Sequence, residues 1–576
     1  MQDTELNGAI HAAHQKIETT VERNGKLEGK ATTTVVAQRD GVRVAPMLLY
    51  PTLRVESVTS LNGEPLNFIQ EDQLEDANFA LILPQTLKKG ESYSFTTVYQ
   101  GKDAIEHTGD GNYMPGARDS WFPNTYFGDY ATYELDFRIP KKMKMVATGN
   151  LLRETDEGDW NLSSWKADTP QAVAGFNFGK FKEVQAKLDK QGYTIQSFAN
   201  EVQPDWVKSL TRAAQGETQD INSRFALHGT EAALGTMDTT DLNKKALAEA
   251  QLAMQVYSDY FGPATYKTVA VTQQTACTFG QSWPGLVFLP ICSFFDSSVR
   301  HQLGLDYRDR GYWKVVNPHE VAHQWWGHTV GFDSYRDQWM SEGFADFSAS
   351  IFLQQVYKGD QYQQFLKDER EVLLEKNQFG FRAIDAGPVT LGYRLTNPRL
   401  GNVTRELIYP KGFYILHMIR MMMWDNKRGD QDFKVMMRDF VSTYHDRPAT
   451  TEDFKAMVEK HINPQIDVAG NRKMDWFFNP WVYGTALPHY HFEQSISQDA
   501  NGAVLNFKIV QSNVDNTFAM PVPVYLELTD GRVFRLGAAT LHGNTSVEQH
   551  VPLGKAKPAP KRAILNYFGD VLSTQD

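Results

Sequence analysis

Along the first third of the chain, apolar and polar residues alternate in short runs separated by turn signals. VESVTSL (55–61) and PLNFI (65–69) flank Asn62-Gly63, a pairing that favours a tight hairpin. FALILP (79–84), SYSFTTVY (92–99), ATYELDFRI (131–139) and YTIQSFA (193–199) repeat the period of two. From Asp241 the pattern changes: DLNKKALAEAQLAMQVYSDYFG (241–262) is made of helix formers and stops at Gly262-Pro263. A strand-rich patch follows to about 290. Helical patterns return at SEGFADFSASIFLQQVYKG (341–359) and KGFYILHMIRMMMWDN (411–426). Beyond 485 the chain alternates again, with Asn501-Gly502 and Asp530-Gly531 beside AVLNFKIV and VPVYLEL. The order predicts a multidomain α+β protein, β-rich at both ends. There is no fixed-period repeat.

Composition narrows this picture. At 576 residues the length prior is about three or four domains. A net charge of −11 favours solubility and argues against a nucleic-acid surface. No run approaches the roughly eighteen apolar residues that span a bilayer. The first residues, MQDTELNGAI, lack the basic and apolar regions of a signal peptide. The two cysteines, Cys277 and Cys292, could bridge or remain buried thiols, and their low number favours buried thiols.

The candidate chemistry lies in His319-Glu320-Val321-Ala322-His323, with Glu342 after eighteen intervening residues. Histidines four apart on a helix project from one face, so both imidazoles can reach one zinc ion. A carboxylate from a second helix supplies a third ligand and leaves the fourth position for water. Glu320 lies between the ligands, placed to take a proton from that water. An alternative for Glu320 is a first-turn residue of a helix capped by Asn317 with Pro318 at its first position. Capping explains neither histidine and says nothing about Glu342.

HEVAHQWWGH (319–328), DQWMSEGFADF (337–347) and IYPKGFYILHMIR (408–420) together resemble the aminopeptidase N family of gluzincin zinc peptidases. The likeness extends over SWFPNTYFGDYATYELDFRIP (120–140) and VATGNLL (146–152). It implies one zinc ion held by His319, His323 and Glu342, with Glu320 as general base. It also implies that Tyr409 stabilises the tetrahedral intermediate, and Asp346, one turn after Glu342, is a candidate to orient a ligand histidine. By the same resemblance residues 1–200 form a saddle-like all-β domain, 201–485 a thermolysin-like peptidase domain and 486–576 a small β-sandwich. The implied partner is a peptide or protein substrate. Family members of this shape are often exported from bacteria, which favours a periplasmic or secreted chain over a cytoplasmic one.

The chain also departs from the family. The usual Gly-Ala-Met-Glu-Asn strand, whose Glu binds the substrate's α-amine, corresponds to FGQSWPGLVFLP (279–290). Gly280, Gln281, Ser282 and Gly285 are therefore the candidate substrate contacts, and Ser282 stands at the expected Glu position. Nor does Tyr113–Gly116, ahead of Ala117-Arg118, carry the second amine-binding carboxylate. A buried ammonium needs a paired anion. The expectation is a zinc peptidase with no strict need for a free N-terminus; an aminopeptidase with a displaced acid and a silent binding protein are the alternatives. His328, where the family more often has Asn, reads as structural. Met418, Met421, Met422 and Met423 read as core filling.

Overall fold

A computed structural model describes residues 8–71, 78–107, 111–116, 120–126, 128–202, 242–295, 297–302, 311–396, 403–555 and 557–576, with single positions at 204, 205, 207, 209 and 305. Ala117-Arg118 and Asp241 lie outside the described residues. The chain divides into two compact units, Met1–Gln255 with Pro263–Gly331, and Val256–Gly262 with Phe332–Asp576.

The first unit begins with a seven-stranded sheet. Its central strand Ile10–Val21 runs antiparallel to Leu27–Ala37 and parallel to Ala131–Pro140, with Ile17 opposite both Ala31 and Leu135. Alternation puts Ile17, Ala31 and Leu135 on the buried face, where Trp121 and Phe176 meet edge to face at 5.0 Å. The Asn62-Gly63 turn forms, with Gly63 at φ 85° and Leu66 N–H donating to Val58 O. The expected two-stranded partnership stops there. Leu53–Ser60 pairs with Ser92–Gly101, whereas Phe68–Gln70 pairs with Asn78–Leu87 in a separate sheet. A turn signal sets the reversal but not the ladder beyond it.

A second sheet of this unit has five strands: β1 (Phe181–Leu188), β2 (Tyr193–Asn200), β3 (Thr268–Gln274), β4 (Gln281–Trp283) and β5 (Leu286–Pro290). Their order is β1-β2-β3-β5-β4, with β2, β3 and β5 parallel and β4 antiparallel at the edge. β5 is buried at every position, as suits a strand covered on both faces. The expected boundary at residue 200 therefore separates two strands, β2 and β3, that hydrogen-bond to each other. Helix α1 (Asn243–Phe261) ends at Gly262, whose φ of 82° stops it as expected.

Cys277 and Cys292 are joined in a disulfide, which corrects the buried-thiol expectation. Ile291 N–H donates to Ala276 O, and this bond brings the two cysteines side by side with Cα atoms 5.2 Å apart. A count of two cysteines carries no information about that approach.

In the second unit, α3 (Trp339–Val356) packs against α5 (Val403–Met423), with α4 (Gln361–Leu374), α6 (Gln431–Thr443) and α7 (Thr451–Lys460) around them, and α2 (Tyr312–Ala322) belongs to the first unit. Gly343 and Gly412 allow the closest approach of α3 and α5: a Cβ on Gly412 would lie 2.9 Å from Gly343 Cα. Met418, Met421, Met422 and Met423 are buried on α5. The unit ends in a four-stranded and a three-stranded sheet spanning residues 489–575, including the hairpins at Asn501-Gly502 and Asp530-Gly531.

Candidate metal centre

The two histidines come from the end of α2. This helix starts at Tyr312, with Gly311 in the left-handed conformation before it, so Asn317 is an interior residue and not its N-cap. Buried Asn317 instead donates to Ala246 O at 3.0 Å, tying α2 to α1. Pro318 sits inside the helix, where its missing N–H removes one backbone bond without ending the turn.

His319 and His323 face each other with their Nε2 atoms 3.2 Å apart. His323 Nδ1 lies 2.9 Å from Trp326 O. A carbonyl can only accept, so it fixes the proton on Nδ1 and leaves Nε2 bare for a metal. The backbone of Trp326 thus orients this ring. A backbone acceptor has no side-chain signature, so no pattern in the sequence could have pointed to it.

Glu320 is buried beside Gly280. A Cβ at Gly280 would lie 2.6 Å from both Cγ and Cδ of Glu320, so any larger residue there would force the Glu320 side chain or the backbone to shift. Edge strand β4 is pinned to the chain just after His323. Gln324 Nε2 donates to Ser282 Oγ at 2.8 Å and to Trp283 O at 3.1 Å, while Gly285 N–H donates to Gln324 Oε1 at 2.8 Å. Gly285 makes the β4–β5 turn at φ 70°. His328 Nε2 lies 3.0 Å from Ser282 O, a structural contact that holds the same strand. Gln324 is a residue the sequence reading did not select; its position directly after His323 is the only hint.

Glu342 lies in the first turn of α3. The start of that helix is anchored by buried Asp337, whose Oδ1 accepts from Thr451 N at 2.7 Å and Thr451 Oγ1 at 2.8 Å. Tyr409 lies in the second turn of α5, not ahead of the helix as the sequence suggests, because α5 already begins at Val403. Its hydroxyl is hydrogen-bonded to Glu342. Burial pushes the phenol well above its usual range, and the negative charges of Glu342 and Asp346 add to this against the pull of Arg405. The Arg405 guanidinium lies 5.6 Å from the centre of the Tyr409 ring.

Among the described residues, His319, His323 and Glu342 are the one set of three whose ligand atoms all lie within 4.8 Å of one another. Two imidazole nitrogens and a carboxylate oxygen are a donor set that suits zinc. Of the candidate substrate contacts, Gly280 packs on Glu320, Ser282 and Gly285 are held by Gln324, and Gln281 lies on β4 between them.

Residues 300–481 match the peptidase family M1 domain. Probable aminopeptidase 2 of Sulfurisphaera tokodaii is 23% identical over 340 residues, covering 57% of this chain and 36% of that protein. The chain thus spans about a third of the length of this curated relative. Among solved structures, an M1 zinc metallopeptidase from Deinococcus radiodurans aligns with a TM-score of 0.58 at 20% identity, covering 83% of this chain and 95% of that one. Legionella pneumophila aminopeptidase A, solved with aspartic acid, aligns with a TM-score of 0.67 at 14% identity, covering 99% and 60%. At these identities the structural likeness establishes the fold. The likeness to the peptidase family M1 domain covers residues 300–481 of this chain. Among the described residues no helix is long and apolar enough to cross a membrane.

Proposed function

We propose that this chain is a zinc-dependent peptidase, with the metal held by His319, His323 and Glu342. The observation that carries the reading is the convergence of these three ligand atoms, with His323 already in its metal-binding tautomer. A zinc ion held there would supply Lewis acidity and make a water nucleophilic near neutrality. Glu320 accepts the proton of the attacking water and returns it to the leaving amine. Gly280 limits where the Glu320 carboxylate can go. Tyr409 donates to the oxyanion that develops on the scissile carbonyl. A silent binding protein on this fold is the weaker reading, because both the donor set and Glu320 are present.

The substrate requirement follows from what surrounds the site. The Ser282 hydroxyl is engaged by Gln324, and Tyr113 donates to Arg23 O, so neither expected amine site supplies a carboxylate from its own strand. This supports cleavage without a free N-terminus. One observation favours the aminopeptidase alternative. Glu106, on the strand paired with Tyr113–Pro115, places Oε1 3.0 Å from where a Cβ of Gly116 would be, and so offers a displaced acid. The Cys277–Cys292 disulfide supports an oxidising compartment, in keeping with export.

Matched peptides with free and acetylated N-termini, read by mass spectrometry, test both readings. Chelation should stop cleavage and zinc restore it. Glu320→Gln should keep the metal and lose the activity; full activity in that variant would refute its role. Internal cuts in acetylated peptides support the endopeptidase reading. Stepwise loss from free termini alone, abolished in Glu106→Gln, would establish the displaced acid instead.

A further inference from the structure

We propose that the Cys277–Cys292 disulfide is a positioning element of the active site: it holds Gly280 against Glu320. The inference rests on the proposed role of Glu320 as proton acceptor. The bridge closes a loop across fifteen positions, and that loop contains Gly280, all of β4, the Gly285 turn and β5. These parts are not equally secured. β5 is paired to β3 over five residues and fully buried. β4 has its ladder to β5 and two bonds to Gln324, with a third from Gly285 in the turn that follows.

The stretch before β4 has much less. Thr278 and Phe279 are exposed and belong to no strand. Besides the disulfide, residues 275–280 are tied by the bond from the Gln274 side chain to Phe279 O and by the Ala276 O to Ile291 N–H bond. Yet Gly280, at the end of this stretch, must stay in contact with the buried carboxylate of Glu320. A covalent anchor three residues upstream restricts the freedom of a segment that side chains hold weakly. Cys292, at the other end, is buried next to β5 and gives the anchor a rigid footing. When the bridge opens, Gly280 can leave Glu320 and the carboxylate gains room to turn away from the water it must deprotonate. The zinc ligands lie outside the loop, so metal binding does not depend on it.

The test compares oxidised protein, protein reduced with a trialkylphosphine, and the Cys277→Ser/Cys292→Ser double variant, all zinc-loaded and well below their melting temperatures. The phosphine gives two electrons to the disulfide and becomes the phosphine oxide with oxygen from water, while the two protons of that water complete the thiols. Zinc content should be equal in all three. A displacement of about 1 Å near the chemistry costs up to about 10²-fold, so kcat should fall on the order of tenfold in the reduced and double-variant forms. KM should change by less than about threefold, since β4 keeps its own bonds. Reoxidation of the reduced protein should restore kcat, which a general loss of stability would not explain.

Amide exchange gives a readout that needs no activity. Residues 278–281 should exchange faster without the bridge, while 286–290 stay protected. Equal kcat in the three forms, unchanged exchange at 278–281, or free thiols in protein purified without reductant would each overturn the proposal. Failure of the oxidised protein to cleave any peptide would refute the peptidase reading, and the exchange experiment would still decide the brace. Should the double variant fail to fold, the reduced native chain carries the comparison.

Discussion

Gly280 and Glu320 are in contact so close that a single methyl group on the glycine would overlap the carboxylate. The backbone of one segment therefore forms a wall of the pocket in which the proposed general base sits. This makes the base's position depend on a residue with no side chain and forty positions away in sequence.

Gly280→Ala should accordingly impair catalysis without touching the metal. The added Cβ would force either Glu320 or the 278–280 backbone aside, and kcat should drop by about 10- to 100-fold with zinc stoichiometry unchanged. Steady-state kinetics paired with metal analysis reads this directly. A variant with wild-type kcat would show that the carboxylate has room to move without consequence.

Tyr409 is hydrogen-bonded to the proposed ligand Glu342 and has only its phenol to offer a substrate. If its contribution is confined to the transition state, Tyr409→Phe lowers kcat and kcat/KM together, by about 10²- to 10³-fold. KM should scarcely change. An effect seen in KM alone would assign it to ground-state binding.

Lys411 follows Tyr409 by two residues and is wholly buried, its ammonium donating to Gly484 O at 2.7 Å. Burial pushes its pKa down to about 7. In the unfolded chain a lysine titrates near about 10.4, so between these values the unfolded state binds one proton more than the fold. Stability should rise with pH across that window and lose this contribution as pH falls through about 7. Lys411→Met removes the titration. The difference in unfolding free energy between wild type and variant should climb from pH 7 toward pH 10, as measured by denaturant melts. A flat difference would mean that the amine stays charged in the fold.

The sequence alone determined the local geometry of this protein. Histidines one helical turn apart must share a face, so the pairing of His319 with His323 follows from helix pitch. Alternation over Ile10–Val21 and Ala131–Pro140 decides which side chains face a core, and a glycine after α1 decides where that helix stops. The ordered motifs around Glu342 and Tyr409 carried the family likeness for the same reason, since each is a short stretch of chain. Tertiary structure decided everything that depends on approach between segments distant in sequence. It set Gly280 against Glu320, brought Cys277 beside Cys292, carried β1 and β2 into the sheet of β3, and left Ser282 to Gln324. It also chose the Trp326 carbonyl as the partner of His323, and backbone atoms are common to every residue. Periodicity and spacing report on one segment at a time, whereas these contacts are set by how whole segments pack.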